Sequence, residues 1–366
     1  MSETLVIGGG LAGAAAALTL ARGGRSVMLI ERSDGPHDKV CGEFLSGEAM
    51  DELEGLGVAP AVHGAVRLTE ARVAARGSAH ASPLPFRAAS LTRRVLDEAM
   101  LAACAAAGVR VRRGAAVTRA EREGDGWRVE TAEGGVLHAE TLIAATGKHD
   151  LRGGRRPEGI HGDLVGLKAY FRAPNGPRAS VDLVFFPDGY CGFQPVEDGT
   201  MNACLVVSRD RLQALGGDPW AVFGAMREDS AHADALLGGA ARMSDRPLAI
   251  GRVPYGYVRR ASDGAYAVGD QAAVIPSFCG EGMALALRSG RLAGEAILSG
   301  VPADAFQRRF ARLAGPRVRG AALLSRLLCR PGAQPAAAWA AGVVPGLVSG
   351  LAAVTRTPTE GAERAG

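Results

Sequence analysis

The sequence predicts an α/β protein with two interleaved domains and a helical C-terminus. Apolar runs alternate with helix-forming stretches over the first 31 residues, and this alternation returns over residues 267–298, with helices predicted at 282–298 and 303–313. Residues 127–131 and 136–139 alternate around Gly134-Gly135, which predicts a hairpin. Between the two helix-containing regions, from residue 164 to 207, apolar and polar residues alternate in a pattern that predicts successive β-strands. Such an order is typical of a parallel-sheet domain into which a second sheet is inserted. A chain of 366 residues is long enough for both lobes.

The N-terminus has the pattern of a dinucleotide-binding unit. A short apolar run is followed by G-x-G-x-x-G at Gly8, Gly10 and Gly13, by a helix-forming stretch, and by a second apolar run that ends at Glu31. The glycines permit a tight turn, close approach of a pyrophosphate, and close packing of helix on strand. The helix N-terminus favours the pyrophosphate, and Glu31 is placed to bind ribose hydroxyls. These residues predict a Rossmann-like domain.

A second glycine-rich segment follows about 240 residues later. An apolar strand ends at Gly269-Asp270, and Gly280, Gly282 and Met283 lead into an Ala/Leu-rich helix. Asp270 is either a turn residue or the acceptor for ribityl hydroxyls, and the helix N-terminus would stabilise negative charge on a reduced flavin. Together with the N-terminal unit, this segment predicts one long cofactor held at both ends, which is FAD rather than NAD.

The composition excludes several classes of protein. The net charge is only +4, and no basic stripe with interleaved aromatic residues is present, so no nucleic-acid partner is expected. The six cysteines are scattered without a C-x-x-C pair, which predicts free thiols in a reducing compartment and no metal site. The N-terminus lacks the basic and apolar regions of a signal peptide, so a cytoplasmic location is expected.

The C-terminal region contains an uncharged segment at 336–354, which glycine and proline interrupt. A transmembrane helix is possible by length, but an interfacial or substrate-covering helical pair is favoured. A C-terminal packing element is an equal alternative to membrane contact. The domain boundaries predicted from these patterns are 1–75, 88–160 and 250–300 for the FAD-binding domain, 76–87 and 161–249 for the β-rich substrate domain, and 301–366 for a helical C-terminal region with a flexible tail.

Three further segments resemble FAD-dependent oxidoreductases of the geranylgeranyl reductase-like and class A flavin monooxygenase superfamily. Residues 39–43, K-V-C-G-E, look like the K-x-C-G-G segment of the reductases. Residues 93–97, R-R-V-L-D, match a helix start whose arginine contacts the cofactor in that family. Residues 187–195, P-D-G-Y-C-G-F-Q-P, are similar to P-x-x-Y-x-W-x-F-P. The resemblance covers most of the chain, from about Leu5 to Leu298.

This chain departs from the reductase pattern at three positions. Glu43 replaces the second glycine of K-x-C-G-G, Gly192 stands at the tryptophan position, and Gln194 replaces the phenylalanine before the last proline. These changes lie in the region that the resemblance assigns to flavin and substrate, so FAD binding is expected while prenyl reductase activity is put in doubt.

The predicted site residues are taken from the sequence patterns and from the family resemblance. Catalytic candidates are Cys41, Glu43 and Tyr190, although a buried thiol and a core tyrosine are the ordinary alternatives. The predicted cofactor-binding residues are Gly8, Gly10, Leu11, Ala12, Gly13, Glu31, Arg32, Lys39, Cys41, Arg93, Val117, Thr146, Gly147, Gly269, Asp270, Gly280, Gly282 and Met283.

The leading functional hypothesis is a monooxygenase that acts on a hydrophobic aromatic or polyketide- or isoprenoid-like small molecule. The alternative is flavin-dependent reduction of a C=C bond in a prenyl or polyene chain, and a third reading is a flavin-binding module without catalysis. A halogenase is less favoured because no W-x-W-x-I-P motif is present. The chain has only one G-x-G-x-x-G, so the resemblance implies that NAD(P)H binds transiently in a groove as the reductant. The oligomeric state stays open.

Overall fold

The computed structural model describes residues 3–152, 156–157, 159–330 and 332, and it confirms the predicted α/β class. The described strands form three sheets. The strands are β1 Glu3–Ile7, β2 Ser26–Ile30, β3 Phe44–Leu45, β4 Val66–Ala75, β5 Ser78–Ser90, β6 Arg110–Arg112, β7 Val117–Glu123, β8 Gly126–Thr131, β9 Val136–Ala139, β10 Thr141–Ala144, β11 Leu164–Arg172, β12 Ser180–Phe186, β13 Gly189–Pro195, β14 Met201–Ser208, β15 Ala241–Arg242, β16 Leu248–Ile250 and β17 Tyr266–Ala267. The α-helices are α1 Leu11–Arg22, α2 Gly47–Gly55, α3 Arg93–Ala106, α4 Arg209–Ala214, α5 Pro219–Asp229, α6 Ala231–Leu237, α7 Gly282–Leu298 and α8 Ala303–Leu328.

The first sheet is parallel and has the strand order β17-β10-β1-β2-β6. Its helix α1 is rich in alanine, and most of its residues are buried because α7 packs against it at backbone distance. A methyl group at Gly290 of α7 would lie 2.1 Å from the carbonyl oxygen of Ala12. A methyl group at Gly13 would lie 1.9 Å from the carbonyl oxygen of Gly8, so the turn between β1 and α1 requires glycine there.

The second sheet is mixed and has the order β15-β11-β14-β13-β12-β4-β5-β3, with β16 also paired to β11. Its outer face packs on α5 and α6 through apolar residues that include Phe171, Phe193 and Phe223. Its opposite face turns toward the parallel-sheet domain. The long strand β4 lies in this second sheet, whereas the sequence analysis assigns residues 1–75 to the FAD-binding domain.

The third sheet is an antiparallel meander of β7, β8 and β9. Trp127 and Val129 of β8 are buried against the parallel sheet, together with Leu5 and Ile7 of β1. This small sheet therefore covers one side of the dinucleotide-binding domain, and β8 and β9 form the hairpin that the sequence predicts around Gly134-Gly135.

The C-terminal helix α8 spans 26 residues and continues through Pro316, which makes it longer than the predicted segment 303–313. Within the described part of the chain, no helix is both long and apolar enough to cross a bilayer. The predicted segment 336–354 lies outside the described residues. All six cysteines are free thiols.

Candidate flavin site

The glycine turn after β1 lies against the acid at the end of β2. The backbone N–H of Gly9 donates to Glu31 Oε2 at 2.7 Å, and that of Ser33 donates to Glu31 Oε1 at 3.0 Å. Burial alone would raise the pKa of Glu31, but these N–H groups and the charge of Lys39 lower it. The side chain is 6% exposed. An ionised carboxylate is thus held beside the turn, where the dinucleotide-binding pattern calls for a ribose acceptor.

Two cations converge on the same turn from other elements. Lys39 Nζ lies 2.7 Å from Asp97 Oδ2, and Arg93 Nε donates to Asp97 Oδ1 at 2.8 Å. A methyl group at Gly10 would lie 3.4 Å from Arg93 Nη2 and 3.7 Å from Lys39 Nζ. Both charges therefore stand at the glycine where a pyrophosphate approaches the backbone, and Asp97 holds them in place. This arrangement suits an anionic ligand.

The Gly269-Asp270 segment forms a tight 3-10 turn at the end of β17. Gly269 has φ +59°, and its N–H donates to Ser289 Oγ of α7 at 2.8 Å. Lys148 Nζ lies 3.3 Å from Asp270 Oδ2 and donates to the carbonyl of Val40 at 3.5 Å. The nearby Asp270 raises the pKa of Lys148. One lysine thus joins the Gly-Asp turn to the loop at 39–43.

Lys148 is a site residue that the sequence analysis does not select, although its immediate neighbours Thr146 and Gly147 are predicted. The signal that could have identified it is its scarcity, because the chain has only three lysines. All three, Lys39, Lys148 and Lys168, make ion pairs in this region.

The loop at 39–43 is anchored to the second sheet through Glu43. Its carboxylate accepts hydrogen bonds from the Tyr170 hydroxyl at 2.8 and 2.9 Å, from Asn202 Nδ2 at 3.0 Å, and from the backbone N–H of Arg93 at 2.8 Å. It also pairs with Lys168, whose Nζ lies 2.5 Å from Oε1. Burial raises the pKa of Glu43, while Lys168 opposes this effect.

The environment of Glu43 favours a positioning role over contact with substrate. Its side chain is 0% exposed, and its backbone has φ +61°, a left-handed conformation that favours glycine. The reductase pattern has glycine at this position. Here the buried partners of the carboxylate hold a glutamate in that conformation instead.

The inner face of the second sheet is defined by Lys168, Tyr190, Gly192, Gln194, Asn202 and Cys204. Cys191 and Phe193 pack on the outer face with α5 and α6, so the alternation of strand β13 turns Tyr190, Gly192 and Gln194 inward. The register pairs Gly192 with Cys204 and Gln194 with Asn202. Asn202 Nδ2 donates to the carbonyls of Cys41 at 3.3 Å and Gly42 at 2.9 Å, which places the 39–43 loop over this face.

Tyr190 belongs to an apolar cluster of the inner face. It is 2% exposed, and its hydroxyl lies 3.0 Å from Ser277 Oγ, which also accepts a hydrogen bond from the Tyr255 hydroxyl at 3.0 Å. Its ring packs edge-on against Phe278 with centroids 5.8 Å apart. These contacts fix the turn that precedes α7, so the geometry favours a positioning role for this predicted catalytic candidate. Cys41, the third candidate, is half-buried and accepts a hydrogen bond from Glu43 N at 3.4 Å.

The other predicted cofactor residues fall into two groups. Leu11, Ala12 and Met283 are core residues, whose side chains are at most 7% exposed. Gly280, with φ +71°, ends the turn before α7, and Gly282 opens that helix.

A second group lies near the end of β10. Thr146 donates to the carbonyl of His149 at 2.6 Å, and Arg32 Nη2 lies 3.0 Å from His149 Nε2. Gly147 has φ +62°, and its carbonyl accepts from Gln271 at 2.9 Å. Val117 is half-buried, where it packs against the core beneath the third sheet.

The residues present fit an FAD molecule. A methyl group added at Gly42, Gly147 or Gly282 would meet nothing within 4 Å, so the backbone is open at these three glycines. Three groups lie between these glycines, namely the acid Glu31, the two cations Lys39 and Arg93 beside Gly10, and the Gly269-Asp270 turn with Lys148. Anion-binding groups, a ribose acceptor and a second carboxylate therefore surround one open region at the C-terminal ends of parallel strands, where ligands of such sheets bind.

Comparisons with known proteins agree with this geometry. Residues 3–152 match the model of the FAD dependent oxidoreductase family. The chain is 26% identical over 327 residues to menaquinone reductase of Mycolicibacterium smegmatis, covering 83% of this chain and 78% of that protein. It is 25% identical over 317 residues to kynurenine 3-monooxygenase of Salinispora arenicola, covering 77% and 69%. The solved structure of the myxobacterial chondrochloren halogenase has the same fold, with a TM-score of 0.76 and 21% identity over 96% of this chain and 90% of that one.

Fold and site together define an FAD-dependent oxidoreductase. Along most of its length the chain is similar to reductases, a monooxygenase and halogenases, and residues 3–152 match the FAD dependent oxidoreductase family, which confirms the resemblance stated from its motifs.

Proposed function

We propose that this enzyme is an NAD(P)H-dependent monooxygenase that hydroxylates a hydrophobic aromatic or polyketide- or isoprenoid-like small molecule. The observation that carries the proposal is the open inner face at Gly192. A methyl group there would meet only the carbonyl oxygen of Cys204, at 3.9 Å. The reductase pattern has tryptophan at this position, so the present chain has room for a broader substrate where the reductases have an indole ring.

The walls of this region support an apolar substrate. Phe185, Val206 and Phe278 belong to the inner-face cluster, and the hydroxyls of Tyr190 and Tyr255 are both engaged with Ser277. Such a surface would exclude water and orient a ring through packing.

The chain's own residues would hold the cofactor and set its electrostatics. Glu31, Arg93 with Lys39, and Asp270 would bind the ribose, pyrophosphate and ribityl parts of FAD. The N-terminus of α7 would favour negative charge at the adjoining part of the ring. FAD, when bound and reduced by NAD(P)H, would supply the oxygen chemistry. The single G-x-G-x-x-G supports transient rather than permanent binding of NAD(P)H.

Reduction of a C=C bond in a prenyl or polyene chain is the second candidate. The observation that favours it is the retained K-x-C-G segment, whose Cys41 lies near Arg93. Burial lowers the pKa of the Arg93 guanidinium, but Asp97 and, after it, Cys41 raise this pKa above its usual value. The reductases have the same cysteine at this place in the pattern.

Oxygen dependence separates the two functions. Purified FAD-loaded protein would be incubated with NADH or NADPH and an extract of apolar metabolites, with ¹⁸O₂ and without oxygen. We expect products that carry ¹⁸O and form only when oxygen is present. Product that forms equally without oxygen would overturn the monooxygenase proposal and favour the reductase.

Gly192→Trp is the matched variant for this experiment. It restores the residue of the reductase pattern and fills the opening on the inner face. We expect it to keep bound FAD and to lose most product formation. Full activity of this variant would show that the opening at Gly192 does not admit the substrate.

A further inference from the structure

We propose that Gln194 and Asn202 form a recognition pair for a hydroxyl group on the substrate. The inference rests on the proposed function and deepens it, because it narrows the substrate to a molecule with an apolar body and at least one hydroxyl. The pair lies on the inner face, where Asn202 contacts the 39–43 loop.

Each residue of the pair has one buried polar atom without a hydrogen bond. Gln194 is 3% exposed, and its Nε2 has no partner within the described part of the chain. Asn202 is 0% exposed, and its Oδ1 likewise accepts no hydrogen bond from the described residues. Buried polar atoms of proteins are nearly always paired, so each such atom calls for an explanation.

The orientation of Asn202 is set by its other contacts. Its Nδ2 donates to the carbonyls of Cys41 and Gly42 and to Glu43 Oε2, at 3.3, 2.9 and 3.0 Å. All three partners are acceptors, so turning the amide round would place oxygen against oxygen. Oδ1 is therefore a fixed acceptor.

The two residues are neighbours in the sheet, and their two unpaired atoms are complementary. Gln194 and Asn202 are direct partners in the register of β13 and β14, and their side chains leave the same face of the sheet. Directly opposed residues have Cβ atoms about 5 Å apart. Nε2 offers a hydrogen and Oδ1 accepts one. A hydroxyl can satisfy both atoms, since it accepts one hydrogen bond and donates another, whereas a carbonyl satisfies only Nε2 and a hydrocarbon satisfies neither.

Open backbone flanks the pair on two sides. Gly192 precedes Gln194 by two residues on the same strand and face, and a methyl group there would meet only Cys204 O at 3.9 Å. Gly42, whose carbonyl Asn202 holds, would accept a methyl group with nothing within 4 Å. A ring in the opening at Gly192 could thus direct a hydroxyl toward the pair.

Binding of two probes tests the pair without turnover. 1-Naphthol and naphthalene, which differ by one hydroxyl, would be titrated into FAD-loaded protein and followed by the flavin absorbance. We expect wild-type protein to prefer 1-naphthol by about 10-fold, the order of one buried hydrogen bond. Gln194→Met should weaken this preference, because it removes the donor Nε2 but keeps the acceptor Asn202 Oδ1, and it should leave naphthalene binding unchanged. Gln213→Met, a change of an exposed glutamine on α4, is the matched control and should behave as wild type.

Two outcomes would overturn the inference. One is the absence of any preference in the wild type, and the other is an undiminished preference in Gln194→Met. Thermal unfolding without probe gives an independent check. Gln194→Met should unfold at the same or a higher temperature, because it removes an unpaired buried group, and a lower temperature would mean that the amide is satisfied within the protein. Product formation without oxygen, together with an intact preference for 1-naphthol, would overturn the proposed function and leave the pair standing.

Discussion

Replacing Lys168 with methionine should destabilise the protein, because Glu43 would keep a buried carboxylate without its counter-ion. The two side chains are 0% exposed, and Nζ lies 2.5 Å from Oε1. Removal of one partner from a buried ion pair costs about 3–5 kcal/mol. The carboxylate would still accept from Tyr170 and Asn202, and proton uptake is aided by the raised pKa of Glu43. We therefore expect the lower end of that range, about 3 kcal/mol.

Changing Glu43 as well should restore most of the loss. Glu43→Gly alone strands the Lys168 ammonium, so its cost is again about 3 kcal/mol. It also relieves the left-handed backbone at φ +61°, where a residue other than glycine pays about 1–2 kcal/mol. In Glu43→Gly with Lys168→Met neither charge is left unpaired. Because the backbone relief reduces the cost of Glu43→Gly alone to about 1–2 kcal/mol, and we expect the double variant to lose only about 1–2 kcal/mol, the coupling energy is about 3 kcal/mol.

Urea unfolding of the four proteins with excess FAD measures this coupling, and FAD dissociation followed by flavin fluorescence shows whether the 39–43 loop is affected. The pair Arg227 and Asp234 provides the control cycle, since its atoms lie 2.7 Å apart but its side chains are 45% and 57% exposed. Exposed pairs contribute about 0.2–1 kcal/mol. Additive effects of the Glu43 and Lys168 changes, within about 0.5 kcal/mol, would refute the view that this buried pair holds the loop.

Three other predictions concern separate parts of the molecule. Gly13→Ala should abolish FAD retention, because its methyl group would lie 1.9 Å from Gly8 O; Gly55→Ala meets nothing within 4 Å and should retain FAD in the same absorbance assay. The free energy of unfolding, measured in urea, should fall as pH rises from about 9 to 12. Burial raises the pKa of three thiols to about 12, so the unfolded chain releases their protons before the folded chain does. A free energy that stays constant over that interval would contradict those shifts. The three thiols are Cys104, Cys204 and Cys329. We also propose that the end of α8 contacts anionic membranes, because Leu323 and Leu327 are 59% and 50% exposed beside arginines. Co-sedimentation with anionic vesicles should fall when both leucines are changed to serine. Equal sedimentation of the variant and the wild type would contradict the proposal.

The parts of the site that the sequence predicts are local in the chain. The turn at Gly8 to Gly13, the acid Glu31 and the Gly269-Asp270 turn each combine a strand end with its next residues, so spacing is enough to recognise them. The helix α7 has the predicted bounds for the same reason, since glycines precede an unbroken apolar pattern.

The parts that the sequence does not predict depend on strand register. Lys168 and Asn202 reach Glu43 only because β11 and β14 pair side by side, and no spacing within either strand indicates that contact. Strand β4 lies within the predicted range 1–75 and strand β5 crosses the predicted boundary at 87/88, yet both pair in the second sheet. Helix α8 continues beyond the predicted end at 313, although Pro316 removes one hydrogen bond, because its apolar residues on both sides of the proline are buried.

Lys148 joins Val40 to Asp270, and Gly290 lets α7 touch α1 at backbone distance. Both contacts link the first 40 residues with residues beyond 265. During translation, the dinucleotide-binding half must therefore wait for more than 200 residues before its last strand and its final helix emerge from the ribosome. Pairing across such a sequence separation slows folding. An N-terminal fragment that ends before β17 should for this reason be unable to retain flavin, even though it contains the whole glycine fingerprint.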